Sequence, residues 1–194
     1  MSSPTETTNR PGYGGGRQAL LDAAIRVVAA QGLRGLTLRA VAAEAGVTHG
    51  LVRHHFGTRE GLIEETVLHS ARLSIDASSL EPGTGALHDL ASGLGGTIDD
   101  QVELQAFQFE LLLEARRRPE LLPHVRRVYD EYVDATRREL ERAGFLDDPD
   151  LARITFAALD GLALQQVVFG GADRTDGAVA RLHEVLATLK ERLE

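Results

Sequence analysis

Residues 37–60, TLRAVAAEAGVTHGLVRHHFGTRE, restrict the fold of this chain more than any other stretch. Leu38, Val41, Ala42 and Ala45 repeat at i, i+3, i+4 and i+7, which is one apolar face of a helix, and Gly46 ends the repeat. A second helical pattern opens at Thr48. Thr37 and Thr48 carry side-chain oxygens able to accept a hydrogen bond from a free amide in a first helical turn. Leu36 with Val41, and Val47 with Val52, stand at the spacing that staples a chain onto a helix start. Two capped starts eleven residues apart predict two short helices joined by a tight turn. A preceding helix is expected from Arg17 to Gln31, with Leu21, Ile25 and Val28 on one stripe and Gly32 as its terminator.

Two helices so close need a small side chain on the first and a turn residue tolerant of positive φ, and Ala42 and Gly46 meet those needs. Val41, Ala45, Val47 and Val52 can then share a small core, leaving Thr48, His49, Gly50, Arg53 and His54 facing outward. A helix fits the major groove of DNA, its amino end attracts phosphate, and an arginine can donate twice to guanine. Arg53 and His49 are the expected base or phosphate contacts. Thr37, Thr48, His54 and Arg59 are expected to position the sugar-phosphate backbone, Arg39 is a further phosphate candidate, and Gly50 lets the backbone come near. His55 is expected to pack beside Phe56. The competing reading is a helical hairpin whose basic residues are merely solvated.

The net charge of −8 conflicts with nucleic-acid binding until it is divided by position. Residues 1–60 hold seven arginines and four carboxylates, a net of +3, whereas residues 61–194 hold fourteen basic and twenty-five acidic groups, a net of −11. Screening over about 10 Å lets the basic head act locally while the acidic body repels phosphate from the wrong surface.

The stretch LTLRAVAAEAGVTHGLVRHHFGTREGLIEE, residues 36–65, resembles the TetR family of one-component transcriptional regulators. The usual pattern there is like T-x-x-x-x-A-x-x-A-G-V-S-x-G-x-[LI]-Y-x-H-F-x-[ST]-K-E-x-L. Thr37, Ala42, Ala45, Gly46, Val47, Gly50, His55, Phe56, Thr58, Glu60 and Leu62 match it. Arg53 stands where the family commonly has a phosphate-contacting tyrosine, and Arg59 where it commonly has a lysine at a helix start. The resemblance implies a repressor that binds a palindromic double-stranded operator as a homodimer and is released by a small-molecule effector.

The remaining chain repeats apolar residues at helical spacing throughout, so the expected fold is all-α: an amino-terminal helix-turn-helix domain of three helices, then a larger helical ligand-binding and dimerisation domain. Residues 1–16 lack apolar side chains to bury and are expected to form a flexible arm. The DNA-binding domain is expected over 17–62 and the body over 63–194, joined by a linker helix at about 58–79 that ends at Glu81-Pro82-Gly83. Later helices are expected near 85–101, 103–117, 119–143, 149–170 and 175–193.

Val179, Leu182, Leu186, Leu189 and Leu193 alternate at three and four, a seam suited to helix pairing. Just before it, Ile154, Ala158, Gly161 and Leu162 belong to a segment apolar over most of its circumference. The resemblance implies that these two helices form a four-helix bundle with a second copy, Gly161 permitting close approach; packing within one protomer is the alternative. Phe107, Leu111, Tyr129, Tyr132, Val133, Gln165, Gln166 and Phe169 mix apolar surface with polar tips, the make-up of an effector pocket and equally of a core. The arginines of ARRRPELLPHVRRVYDEY, interleaved with acids, read as a solvated helix face.

Cysteine is absent, which excludes disulfides, thiolate-bound zinc and a cysteine nucleophile. No phosphate-cradling glycine loop and no His-Glu-x-x-His run occurs, so no enzyme, cofactor or metal is expected, and the His69–Glu65 spacing reads as a surface pair. No apolar run approaches the roughly 18 to 20 residues that a membrane span needs, and a cytoplasmic location is expected.

Overall fold

The computed structural model describes residues 13–76 and 84–193, and within them every regular element is a helix. Residues 1–12, the Glu81-Pro82-Gly83 break and the Leu193 side chain lie outside the described residues. Helix α1 spans Tyr13–Gly35, with its helical course interrupted at Gly32 (φ 68°). It thus starts four residues earlier than the sequence pattern places it, taking in Gly14–Gly16, which pattern reading weighs as breakers.

Helix α2 spans Leu38–Glu44 and α3 spans His49–Phe56. Thr37 caps α2 by accepting from the Ala40 amide at 3.0 Å, and Thr48 caps α3 by accepting from the Leu51 amide at 3.3 Å. Gly46 adopts φ 65°, so it turns the chain without the strain a β-carbon would bring there. The Val47 amide closes the turn on the Ala42 carbonyl at 2.9 Å.

Helix α4 covers Arg59–Asp76. The body follows with α5 (Leu94–Asp100), α6 (Val102–Ala115), α7 (Leu122–Arg142), α8 (Pro149–Phe169) and α9 (Ala172–Leu193). The single helix expected over 85–101 is instead a short 3₁₀ turn at Leu87–Asp89 and the separate α5. Ala91 and Gly93 both take positive φ, 55° and 70°, and a helix cannot run through that left-handed kink.

Two main cores result. The first joins α1–α4 to α6 and the start of α7, with Val28, Val41, Val52, Leu62, Phe107 and Leu111 at its centre. The second lies among α7, α8, α9 and the residues before α5, around Leu90, Ala135, Leu140, Leu159, Val179 and Leu186. Because Phe107 is fully buried in the first core, the amino-terminal helices are fastened to the body rather than tethered by α4 alone. Helix α8 is 21 residues long with a mean hydropathy of 1.2 over its most apolar stretch, so by length and composition it meets the requirement for a membrane span, contrary to the sequence expectation. Within the fold its Ala152, Phe156, Leu159 and Ala163 are buried against protein.

Candidate functional site

The first candidate surface is built on α3. Val52 (0% exposed) and Phe56 (6%) anchor the helix in the first core. That register leaves His49, Gly50, Arg53 and His54 exposed on the opposite side. Thr37, Arg39 and Thr48 are exposed at the starts of α2 and α3, so seven of the eight sequence candidates share a solvent-facing region. His55 is half-buried with its ring 6.1 Å from that of Phe56, as expected. Leu51 is a member of the exposed set that sequence reasoning missed, 41% exposed between the polar residues. An apolar side chain there can meet a thymine methyl group.

Arg59 is put to another use. Its Nε donates to the Leu36 carbonyl at 2.6 Å and its Nη2 to the Leu33 carbonyl at 2.7 Å. These carbonyls lie where α1 gives way to α2, and the Leu33 oxygen also accepts from the Leu36 amide at 3.3 Å. Arg59 is therefore a clamp between α4 and the α1–α2 connection, with Nε and Nη2 committed to backbone carbonyls. Arg17, although exposed, is likewise engaged within the protomer, paired with Glu65 and lying over the Phe56 ring. His69 is buried and bonds Asp22 at 2.7 Å, so the expected pair with Glu65 does not form. Among the described residues, no three histidine or carboxylate groups converge on a metal position.

The second candidate surface is the outer side of α8 and α9. Ile154 (68% exposed) and Val168 (61%), with exposed Ala158 and Leu164, give α8 a largely apolar outer side on which Gln165 is a polar member, and Val185 (56%) is exposed on α9. Gly161 sits midway along α8, and a β-carbon there would meet nothing within 4 Å of the protomer. The leucine seam expected to face a second copy points the other way: Val179 and Leu186 are each 3% exposed inside the second core, with Leu162, Leu182 and Leu189 packed against it. The stripe at three-and-four spacing is satisfied within the protomer by α5, α7 and α8.

The third is a cleft of about 640 Å³ between α7 and α8, whose walls include Tyr129, Val133, Phe156 and Asp160, with Arg137 and Arg153 also lining it. The Tyr129 hydroxyl donates to Asp160 Oδ2 at 3.3 Å. Tyr129 meets Phe156 edge-on with ring centroids 5.6 Å apart, while Tyr132 stacks on Phe156 at 5.5 Å and 13°. Burial pushes the Asp160 carboxyl above its ordinary value, with the Tyr129 bond opposing the shift, and burial then the Asp160 charge push the Tyr129 hydroxyl well above its own. The tyrosine therefore stays a donor at any physiological pH.

Of the residues expected at a pocket, Tyr129 and Val133 line this cleft and Tyr132 supports it through Phe156. Phe107 and Leu111 are packed inside the first core instead. Gln166 is buried and spends its Nε2 on the Gly95 carbonyl and Asp99 Oδ1, each at 2.7 Å, which ties α8 to α5. Gln165 and Phe169 are exposed on the outside of α8. Asp160 was missed, although it is the single charge in the segment Ile154–Phe169 and that isolation is a signal.

Two family models cover this architecture: one described as "Bacterial regulatory proteins, tetR family" matches residues 20–66, and one described as "Tetracyclin repressor-like, C-terminal domain" matches residues 82–188. The chain belongs to the TetR family. It is a TetR-family transcriptional regulator with an amino-terminal helix-turn-helix and a carboxy-terminal helical domain. It is 29% identical to the HTH-type transcriptional regulator BetI of Burkholderia ambifaria, a match covering 89% of this chain and 93% of that protein. A solved structure of the multidrug binding protein EbrR, complexed with imidazole, is 30% identical with a TM-score of 0.60, covering 86% of this chain and 93% of that one. A transcriptional regulator from Saccharomonospora viridis, solved in complex with choline, has a TM-score of 0.66 at 19% identity over 88% of this chain and 96% of that one, and shares the fold.

Proposed function

We propose that this TetR-family regulator is a cytoplasmic repressor that binds a palindromic operator as a homodimer and leaves it when a small-molecule effector occupies the α7–α8 cleft. The observation that carries the DNA half of the reading is the register of α3, buried through Val52 and Phe56 and exposed through His49, Gly50, Arg53 and His54. One helix of eight residues offers too little contact for tight specific binding, and two such helices about one duplex turn apart overcome that limit. The exposed side of α8 and α9 supplies the pairing surface: it is largely apolar and open at Gly161. Pairing there also accounts for the apolar outer face of α8 without a membrane.

Tyr129 provides the connection between effector and DNA. Its ring packs against the core that holds α1–α4, and its hydroxyl reaches Asp160 in the cleft. A ligand that prefers one placement of Tyr129 by about 1–3 kcal/mol changes operator affinity roughly 5- to 150-fold. Support for a small-molecule effector also comes from the EbrR and Saccharomonospora viridis proteins, each solved with a small molecule bound. A binding selection on fragments of the source genome tests the whole reading. It is expected to enrich one inverted repeat, bound by two protomers; failure to enrich any sequence overturns it.

A further inference from the structure

Helices α1 and α6 lie side by side and run in the same direction. Asp22, Ile25 and Arg26 of α1 line one cleft with residues 101–104 at the start of α6, and further along a β-carbon at Gly32 would lie 3.6 Å from Glu110 Oε2. Matching intervals on the two helices mean that they advance together, at about 1.5 Å per residue. Helix α1 breaks at Gly32, whereas α6 continues to Ala115 and Arg116 keeps helical geometry, about 9 Å beyond Glu110. The body therefore reaches past the end of α1, on the side from which Thr37 and Arg39 open α2. A 3₁₀ turn at Pro119–Leu121 leads into α7, and Leu121 and Val125 hold this turn in the core shared with α1–α4.

Arginines crowd this end of the body. Arg117, Arg118 and Arg127 are paired with Glu114, Glu120 and Glu131 at 3.1, 2.9 and 3.0 Å. Arg116 and Arg126 are exposed and, among the described residues, form no ion pair, although Asp130 stands one helical turn after Arg126. Arg34 and Arg39, exposed at the end of α1 and the start of α2, are likewise without an ion pair among the described residues. Residues 116–127 hold five arginines and one carboxylate, a net of +4, while the rest of 61–194 carries a net of −15. Like charges gathered without counter-charges repel, and a polyanion laid across them relieves that repulsion. Leu113 and Leu122 are exposed nearby as single apolar side chains, which is ordinary on a protein surface.

We propose that the α6–α7 turn is a second DNA contact, in which Arg116 and Arg126 bind duplex phosphates outside the half-site that α3 reads. This rests on the regulator reading above and adds to it a surface outside the helix-turn-helix. Double-stranded DNA carries one charge per about 1.7 Å of axis, so a duplex seated on α3 continues outward as a line of phosphates beyond Thr37 and Arg39. An unpaired guanidinium can donate two bonds to one phosphate, and such contacts hold position without reading base sequence. The placement of these arginines beyond Arg34 and Arg39 of the DNA-binding domain favours the duplex over an acidic protein segment.

The test is fluorescence anisotropy of the full chain on two duplexes carrying the selected inverted repeat, one ending at the half-sites and one extended on each side by a duplex turn, about 10 base pairs. Wild type is expected to bind the extended duplex at least about tenfold more tightly, and to keep that advantage when the added sequence is changed. Arg116→Gln with Arg126→Gln is expected to lose most of the advantage, with melting temperature and binding to the short duplex unchanged, since both side chains are exposed. Four fewer arginines per dimer also make the log-log salt slope of the double variant on the extended duplex shallower by about 3 to 4. Equal affinity of wild type for the two duplexes, an advantage that depends on the added sequence, or a double variant that keeps the advantage overturns the proposal. Equal affinity is also the result expected if the surface serves an acidic protein. Specific binding to the short duplex without gain from extension removes only the second contact, whereas no specific binding to either duplex means that the regulator reading itself fails.

Discussion

Arg59 Nε lies 2.6 Å from the Leu36 carbonyl oxygen, so the first residue of α4 holds the connection that leads into α2. The bond spans twenty-three residues of chain and, with the companion bond to Leu33, sets how α4 meets the reading helices. Any shift of α4 is thereby passed to the α1–α2 connection without a change of local structure. Arg59→Ala is predicted to lower stability by about 1.5–3 kcal/mol, because two backbone carbonyls at the α1–α2 connection lose a charged donor. Urea denaturation measures the loss. A variant as stable as wild type but weakened only in DNA binding would show that the guanidinium serves phosphate instead.

What could be read from the sequence was local. Thr37, Thr48 and Gly46 announce their caps and turn because each acts on residues within three or four positions, and the structure uses all three in that way. Val179 and Leu186 show the limit: spacing of three and four says a helix has an apolar stripe, but not whether its own chain or a second copy covers it. Gln165 and Gln166 are adjacent and chemically identical, yet only Gln166 meets α5, a contact made across seventy-one residues. Arg59 looked like a helix-start cation, and its carbonyl partners became visible only once α1 and α4 were brought together. Asp160 was legible as an isolated charge, but its aromatic neighbours come from α7 and from the turn before it on α8.

The pairing surface separates two kinds of α8–α9 substitution. Ile154→Glu with Val168→Glu places charge on side chains already exposed in the protomer, so monomers with near wild-type melting are predicted. Sedimentation equilibrium checks this. Leu186→Ala instead opens the second core and is predicted to cost about 2–5 kcal/mol. Dimers that survive the double charge substitution would place the self-association surface elsewhere.

Acid stability reports on the cleft. The Asp160 carboxyl is raised above 3.8 in the folded state, so between that value and its folded pKa the native state holds more proton than the unfolded one. Stability contributed by the protonated form is complete below 3.8 and is lost as pH rises through the folded value. The stability of wild type relative to Asp160→Asn is therefore predicted to fall across that window and then level. Tyr129, Asp130 and Asp134 from α7, with Arg137 and Arg153, line the same cleft and are unchanged between the two proteins. Denaturant midpoints at several pH values give the difference, and a constant gap would mean Asp160 is as solvated as an ordinary carboxylate.

Operator affinity should depend steeply on salt. With about three or four phosphate-neutralising groups per protomer, a dimer is predicted to show a log-log slope on the order of −5 to −7. Fluorescence anisotropy over a salt series measures it, and a flat response would contradict phosphate contact by the basic head.

The reading role of α3 is tested most directly by a binding profile over every single base substitution in the selected operator, taken for wild type and for Arg53→Ala. Arg53 is exposed, so the variant is predicted to fold and dimerise normally, to bind at least about tenfold more weakly, and to lose discrimination at one symmetry-related base pair in each half-site. A uniform loss across all positions would make Arg53 a phosphate contact, and an unchanged affinity and profile would contradict the assignment of α3 as the helix that reads DNA.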